Sequence, residues 1–264
     1  MNRRRFLGSL AAAASGLLLA PRLLRADSAV DAFARERADH PYLAGWQSID
    51  GEAFGPSVPN LEGRLPEGLQ GTLFRNGPAL FERGGQRYSH WFDGDGLVQS
   101  WRITPKGVEH RARMVGTSKY RRELRAGRFL LPAAGSRIEP PMALRNNDDV
   151  NTANTSVTVI DGRLFALWEG GSAYELHPET LDTLGPVTWA DGLEAAPFSA
   201  HPLQERDGSL WNFGSLDVLG GSGLLIWRIG ADGRLLSKQL LPTPAPGYLH
   251  AFAMTERHLL FVLT

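Results

Sequence analysis

Ser156-Val157-Thr158-Val159-Ile160, Asp161-Gly162, Arg163-Leu164-Phe165-Ala166-Leu167-Trp168 reads as a strand, a two-residue turn and a second strand. Asp-Gly is a favoured pair for such a turn, because both central residues take positive φ there. Similar units lie on either side. Ala173–Leu176 and Leu181–Leu184 face each other around His177-Pro178-Glu179-Thr180, and Leu224–Ile229 and Arg234–Leu241 around Gly230-Ala231-Asp232-Gly233. Upstream, Leu97–Ile103 and Val108–Val115 are joined through Pro105-Lys106-Gly107. Beyond the N-terminal segment, no stretch sustains a 3.6-residue apolar period over four turns. Short strands with regular punctuation specify an all-β chain, a sandwich or a propeller. The Asp-Gly turns at Asp161, Asp191, Asp207 and Asp232 are unevenly spaced, so any repeat has diverged.

Residues 1–28 read as a twin-arginine signal peptide. Arg3-Arg4-Arg5-Phe6-Leu7 precedes an apolar run from Leu7 to Ala20, and Ala26-Asp27-Ser28 offers small residues for cleavage. The expected destination is the periplasm, or export by the twin-arginine route, with residues 29–264 as the mature domain. The formal net charge of zero hides an asymmetry, because residues 1–26 hold five arginines and no acid. Without them 23 basic residues face 28 acidic ones. A mildly acidic chain with no basic stripe excludes nucleic acid as an expected partner. The absence of cysteine excludes thiolate metal sites and a thiol nucleophile, so a metal here needs histidine or carboxylate.

Residues 30–70 read as an irregular polar lead-in. Tyr120–Asn147 mixes Arg121, Arg122, Arg125, Arg128 and Arg137 with Phe129-Leu130-Leu131 and Pro140-Pro141. Such a mixture suits a peripheral membrane contact through residues 120–147 or the mouth of an apolar tunnel; a long solvated loop with a few buried anchors is the plainer alternative. The closing run Leu259-Leu260-Phe261-Val262-Leu263 leaves an open sheet edge, and the chain is expected to be a fragment.

Two histidines share a context of turn, histidine, strand. His201 stands in Pro197-Phe198-Ser199-Ala200-His201-Pro202, ahead of the strand Ser209–Phe213, and His250 stands between Tyr248-Leu249 and Ala251-Phe252-Ala253-Met254. Taken singly, each is an ordinary half-buried histidine; the shared setting makes the pair candidate metal ligands. His40, His90, His110 and His177 read as structural or surface residues, and His258 opens the last strand.

Six stretches in register resemble the carotenoid cleavage oxygenase family, which includes stilbene-cleaving enzymes. They are Gly71–Pro78, His90–Gly96, Asn151–Thr155, Leu164–Gly171, Ser199–Pro202 and Leu249–Phe252, covering the chain from about Asp50 onward. The resemblance implies a seven-bladed β-propeller, of which only about the first half is present, with a non-haem Fe(2+) held on its axis by four histidines. It makes His201 the first ligand, His250 the second, and Glu169 the carboxylate that accepts a hydrogen bond from the His250 imidazole. It also places Tyr120–Asn147 at a membrane-facing tunnel mouth. The implied reaction is cleavage of a carbon–carbon double bond of a carotenoid or apocarotenoid by O2. The third and fourth ligands would follow Thr264, so this length is expected to be inactive alone. Two alternatives stand beside it. One is cleavage of a lignin-type stilbene or phenylpropanoid, for which Lys119 with Tyr120 is the local candidate for gripping a phenol. The other is a non-catalytic propeller that binds a ligand, with the histidines in its core.

Overall fold

A computed structural model of the chain describes residues 28–140, 142–218, 221–243 and 248–263. Nearly all of the expected export signal, residues 1–27, lies outside them. The chain divides into two compact units, residues 1–43 and 44–264. In the first, α1 (Ala29–Asp39) replaces part of the irregular lead-in expected over residues 30–70. Its start is a capping arrangement, with the Ser28 side chain accepting from Asp31 N–H, and none of its residues is buried. With no apolar stripe, the helix carries no periodic signal in the sequence. Among the described residues no helix is long and apolar enough to cross a membrane.

The second unit is built on three four-stranded antiparallel sheets. The first uses β1 (Ala53–Ser57), β2 (Gly71–Leu80) and, after the short pair β3 (Glu82–Arg83) and β4 (Gln86–Arg87), β5 (Asp95–Thr104) and β6 (Gly107–Met114). Its spatial order is β1-β6-β5-β2. A helix, α2 (Ser118–Ala126), follows. The second sheet runs in chain order through β7 (Ser156–Ile160), β8 (Arg163–Leu167), β9 (Tyr174–Leu176) and β10 (Thr183–Pro186). The third does the same through β11 (Leu203–Gln204), β12 (Leu210–Val218), β13 (Gly221–Ile229) and β14 (Leu235–Thr243). A last pair, β15 (Ala253–Met254) and β16 (Leu259–Leu260), closes the described chain. The Asp-Gly hairpin forms as read: Ile160 pairs with Arg163, and Asp161 and Gly162 take φ of 49° and 71°.

The sheets are stacked through strands buried on both faces. Along β8, Leu164 and Ala166 join a cluster with Val98, Val115 and Ala153, whereas Phe165 and Leu167 join Phe198, Leu225 and Trp227. The same division recurs on β13, where Leu225, Trp227 and Ile229 face the second sheet and Leu224 and Ile226 pack with Phe213 and Leu249. Strand alternation thus sends successive residues into two different cores, which is why Leu164–Leu167 and Leu224–Trp227 are apolar without interruption.

Tyr120–Asn147 departs from a loop in opening within a helix, while its buried apolar side chains are the anchors that the plainer alternative expected. Its first residues, Tyr120–Ala126, belong to α2, which is capped at its start by the Thr117 side chain and at its end by Gly127 in the left-handed region. Phe129 and Leu131 are buried in the interior; the exposed apolar side chains are Leu124, Met142 and Leu144. What draws the segment in is a buried ion cluster. Lys119 Nζ lies 2.8 Å from Asp95 Oδ1 and 2.8 Å from Glu123 Oε2, and 4.8 Å from the centre of the Tyr88 ring. Glu123 Oε1 accepts from the Leu130 and Leu131 N–H groups at 3.0 and 3.1 Å. Burial pushes the Asp95 carboxyl up, and the Lys119 charge opposes that shift. Replacing Lys119 with Met leaves two buried carboxylates without a counter-charge. The expected loss is about 3–5 kcal/mol of unfolding free energy, read from urea denaturation; a loss within the range of a surface substitution would refute this account of the segment.

Candidate metal centre

The approach to His201 is held by backbone hydrogen bonds from both neighbouring sheets. Phe198 N–H donates to Gly171 O at 2.9 Å and Ser199 N–H to Phe213 O at 2.8 Å. Asn212 Nδ2 donates to Ser199 O at 2.7 Å, Trp227 Nε1 to Pro197 O at 3.1 Å, and Ser156 Oγ to Ala200 O. Gly214 permits the close approach, since a Cβ there would stand 2.0 Å from Pro197 O. His201 emerges half-buried from this seam. Its Nε2 is buried and has no hydrogen-bond partner among the described residues.

Glu169 follows β8 in the loop Trp168-Glu169-Gly170-Gly171. That loop is pinned where it ends: Asp148 accepts from Ser172 N–H and from Ser172 Oγ, each at 2.8 Å. Asn151 Nδ2 donates to Asp148 Oδ1 at 3.0 Å and to Ser172 O at 2.9 Å. His250 arrives a few residues ahead of β15. Leu249 enters the cluster of Phe213, Leu224 and Ile226, with Phe252 packed against it, and Tyr248 and His250 are exposed.

The three segments meet. The His201 and His250 rings lie 4.5 Å apart between centres, at 64° to one another. Glu169 Oε1 is in close hydrogen-bond contact with His250 Nδ1, and the Tyr248 hydroxyl lies 3.3 Å from the same nitrogen. All four residues line one cavity of about 1050 Å³, together with Trp91, Phe92 and Trp168. Burial lowers the His201 pKa and the His250 charge lowers it further, with Glu169 opposing. Burial pushes the Tyr248 phenol up, reinforced by the nearby Glu169 carboxylate.

This donor set fits a metal. A neutral imidazole has one N–H and one lone pair, so a Nδ1–H given to Glu169 leaves the His250 Nε2 lone pair free. A carboxylate behind a ligating imidazole is the usual arrangement of a histidine metal site. The orphaned His201 Nε2 has the same need of an electrophile. Among the described residues no group of three or more histidines, cysteines or carboxylates gathers for a metal, so the chain offers two imidazoles.

None of the remaining histidines lines this cavity, and four of them have partners for their rings. His90 Nδ1 accepts from Phe92 N–H at 3.2 Å, His110 Nε2 pairs with Gln99 Oε1 at 3.2 Å, and His177 Nδ1 caps a turn from Glu179 N–H at 3.2 Å. His40 Nε2 lies 3.6 Å from Glu36, and His258 takes part in a turn through its backbone N–H, which donates to Thr255 Oγ1. Lys119 and Tyr120 are not available to grip a phenol, because both are buried away from this cavity, Lys119 in its ion cluster. Sequence reading assigned no role to Tyr248 or to the cavity residues Trp91, Phe92, Asn154 and Thr155.

A family model described as RPE65, retinal pigment epithelial membrane protein, matches residues 46–264. The chain belongs to this RPE65/carotenoid cleavage oxygenase family. The apocarotenoid-15,15'-oxygenase of Synechocystis sp. is 33% identical over 242 residues, which are 86% of this chain and 49% of that protein. Resveratrol cleavage oxygenase 1 of Aspergillus fumigatus is 28% identical over 228 residues, 84% of this chain and 45% of that one. The crystal structure of cobalt-substituted Synechocystis apocarotenoid oxygenase matches with a TM-score of 0.72 at 34% identity, over 83% of this chain and 48% of its own. The chain therefore spans about half the length of these carotenoid cleavage oxygenase relatives, and its four-stranded antiparallel sheets match theirs. The family uses non-haem iron.

The lowered His201 pKa gives a direct check. In an NMR titration the His201 ring should protonate below 6.5, the ordinary histidine value, and His250→Ala should move its midpoint upward by removing a neighbouring charge and part of the burial. An unmoved or falling midpoint would contradict the proximity of the two rings.

Proposed function

We propose that this chain provides the His201–His250 half of a non-haem Fe(II) dioxygenase that splits a carbon–carbon double bond of a carotenoid or apocarotenoid with O2, giving two carbonyl products. The carrying observation is the meeting of two imidazoles from distant segments on the wall of one cavity, with Glu169 against the Nδ1 of one of them. On this reading the sheets are blades of a seven-bladed propeller. His201 and His250 are two of four imidazole ligands, and the other two belong to the part of the relatives that this chain does not span.

Bound there, iron held by neutral imidazoles supplies open coordination positions and a redox-active centre for O2. The chain's own residues do the rest. His201 is kept neutral by burial, so no proton competes for its lone pair at neutral pH. Glu169 fixes the tautomer and ring angle of His250. Trp91, Phe92, Trp168 and Leu249 give the cavity apolar walls that suit a conjugated, non-polar chain. Cleavage of a carotenoid is favoured over that of a hydroxylated stilbene because the lysine considered for a phenol is consumed in the interior. The similarity to the Aspergillus enzyme keeps the stilbene as the second reading.

Exposed Leu124, Met142 and Leu144 share their segment with exposed Arg125, Arg128, Arg137 and Arg145, a composition suited to a membrane surface from which such a substrate would be drawn. The twin-arginine pattern assigns the protein to the periplasm or beyond.

Fe(II) uptake tests the reading. Under anaerobic, reducing conditions the chain, alone or co-expressed with the C-terminal half of the Synechocystis enzyme, should retain iron. His201→Ala and His250→Ala should each weaken retention by about 10-fold or more. The complemented form should incorporate ¹⁸O from ¹⁸O2 into the cleavage products of an apocarotenal. No iron in either form would sink the assignment.

A further inference from the structure

Two stretches set apart in the sequence, residues 90–96 and 151–155, meet beside the cavity through one side chain. Asn154 Nδ2 donates to Phe92 O and to Gly94 O, each at 2.7 Å. A primary amide has two N–H donors, so both are spent on the turn that carries Trp91 and Phe92. Its Oδ1 accepts from Thr155 Oγ1 at 3.1 Å. Asn154 is buried and its backbone is itself fixed. Asn76 Nδ2, on β2, donates to Ala153 O at 2.8 Å and to Ser156 O at 3.0 Å, and Thr155 N–H donates to Leu167 O at 3.0 Å. The turn, by contrast, has little of its own to hold it. Trp91 and Phe92 are each 48% exposed and pack on one another at 4.7 Å between ring centres, so burial does not dictate where they stand. Asp93 N–H donates to His90 O at 3.0 Å, a local bond that travels with the turn. The Asp93 carboxylate accepts from Gly135 N–H at 2.9 Å and from the Ser136 hydroxyl at 2.6 Å, which hangs the loop of Ala134 on the same turn. Trp91, Phe92 and Ala134 all line the cavity.

We infer that Asn154 is a positioning residue: its amide latches the turn at residues 91–94 to the start of β7, and so sets the aromatic wall that decides which apolar ligands the cavity admits. That the ligand is a polyene rests on the reading proposed above; the latch does not. Two measurements keep the two apart. In hydrogen exchange of the chain, Asn154→Ala should speed exchange of the Asp93 amide by about 10-fold, while the amides of β8 exchange as in the parent. Asn154→Asp keeps the shape but turns the two donors into acceptors facing two carbonyl oxygens, and should loosen the turn at least as much. With an all-trans apocarotenal as the probe, followed by quenching of tryptophan fluorescence, Asn154→Ala should weaken binding by about 10-fold. In a Trp91→Leu/Phe92→Leu background the same substitution should have little further effect, because it acts through those rings. An Asp93 amide unchanged in either Asn154 variant, or binding losses that multiply in full in the triple variant, would overturn the inference. Should the parent chain bind no apocarotenal, the polyene reading falls and the Asp93 amide still decides the latch.

Discussion

The segment Pro197–Ala200 is the constraint on which the rest of the architecture turns. It runs in the seam between the second and third sheets, where its peptide groups have no water to bond to. An unpaired buried peptide group costs about as much as a lost hydrogen bond, so the segment is stable only where both sheets supply partners. They do: Gly171 and Ser156 from one side, Phe213, Asn212 and Trp227 from the other. The partners are fixed groups on strands or strand ends, which leaves the segment one position. His201 inherits that position. Its location is therefore a property of how two sheets stack, and a substitution that loosens the stack, such as a Cβ at Gly214, would move the imidazole without touching it.

Stacking in turn follows from strands with two buried faces. A strand that packs on one side only can slip or tilt at little cost, whereas β8 and β13 commit alternate side chains to separate cores. A one-residue slip would exchange those two sets, bringing Phe165 into the space of Ala166 and leaving a void on the opposite face. Register is thus enforced twice. Gly96 and Gly214 fit the same scheme, each placed where a connecting segment crosses a strand closely, with Ala153 O and Pro197 O where a Cβ would be.

The residues differ in how far they announce this in advance. The hairpin at Asp161-Gly162 is legible because turn chemistry is local, and the uninterrupted apolar runs of β8 and β13 are legible because double burial forbids polar alternation. α1 is not, since nothing on it is buried and its sequence therefore carries no stripe. The segment from Tyr120 is legible only in part, because its composition suggests buried anchors without saying what holds them. Phe129 and Leu131 sit among arginines in the chain, and what makes them interior is Gln86 taking the Phe129 N–H and Glu123 taking those of Leu130 and Leu131, the carboxylate itself neutralised by Lys119. A lysine and two carboxylates scattered over positions 95, 119 and 123 have no pattern that marks them as one buried cluster. The same limit applies at the centre. Turn-histidine-strand contexts pick out His201 and His250, but their convergence with Glu169 is a fact of sheet stacking, and only the likeness to a known family brought the three together beforehand.

The two imidazoles are held by different means, and the difference has consequences for the chemistry. His201 is placed by backbone bonds and kept neutral by burial, so its readiness for an electrophile costs nothing further once the sheets have formed. His250 is more exposed, and side chains set its ring: Glu169 and Tyr248 behind, Leu249 and Phe252 beside. A ligand fixed by the fold supplies position, and a ligand fixed by a carboxylate supplies basicity that a neighbouring charge can tune. The centre therefore separates its two requirements. Changes along the seam at Pro197–Ala200 act on whether a site exists, and changes around Glu169 act on how strongly it donates, which lets donor strength vary within this sheet arrangement without disturbing the stack that builds it.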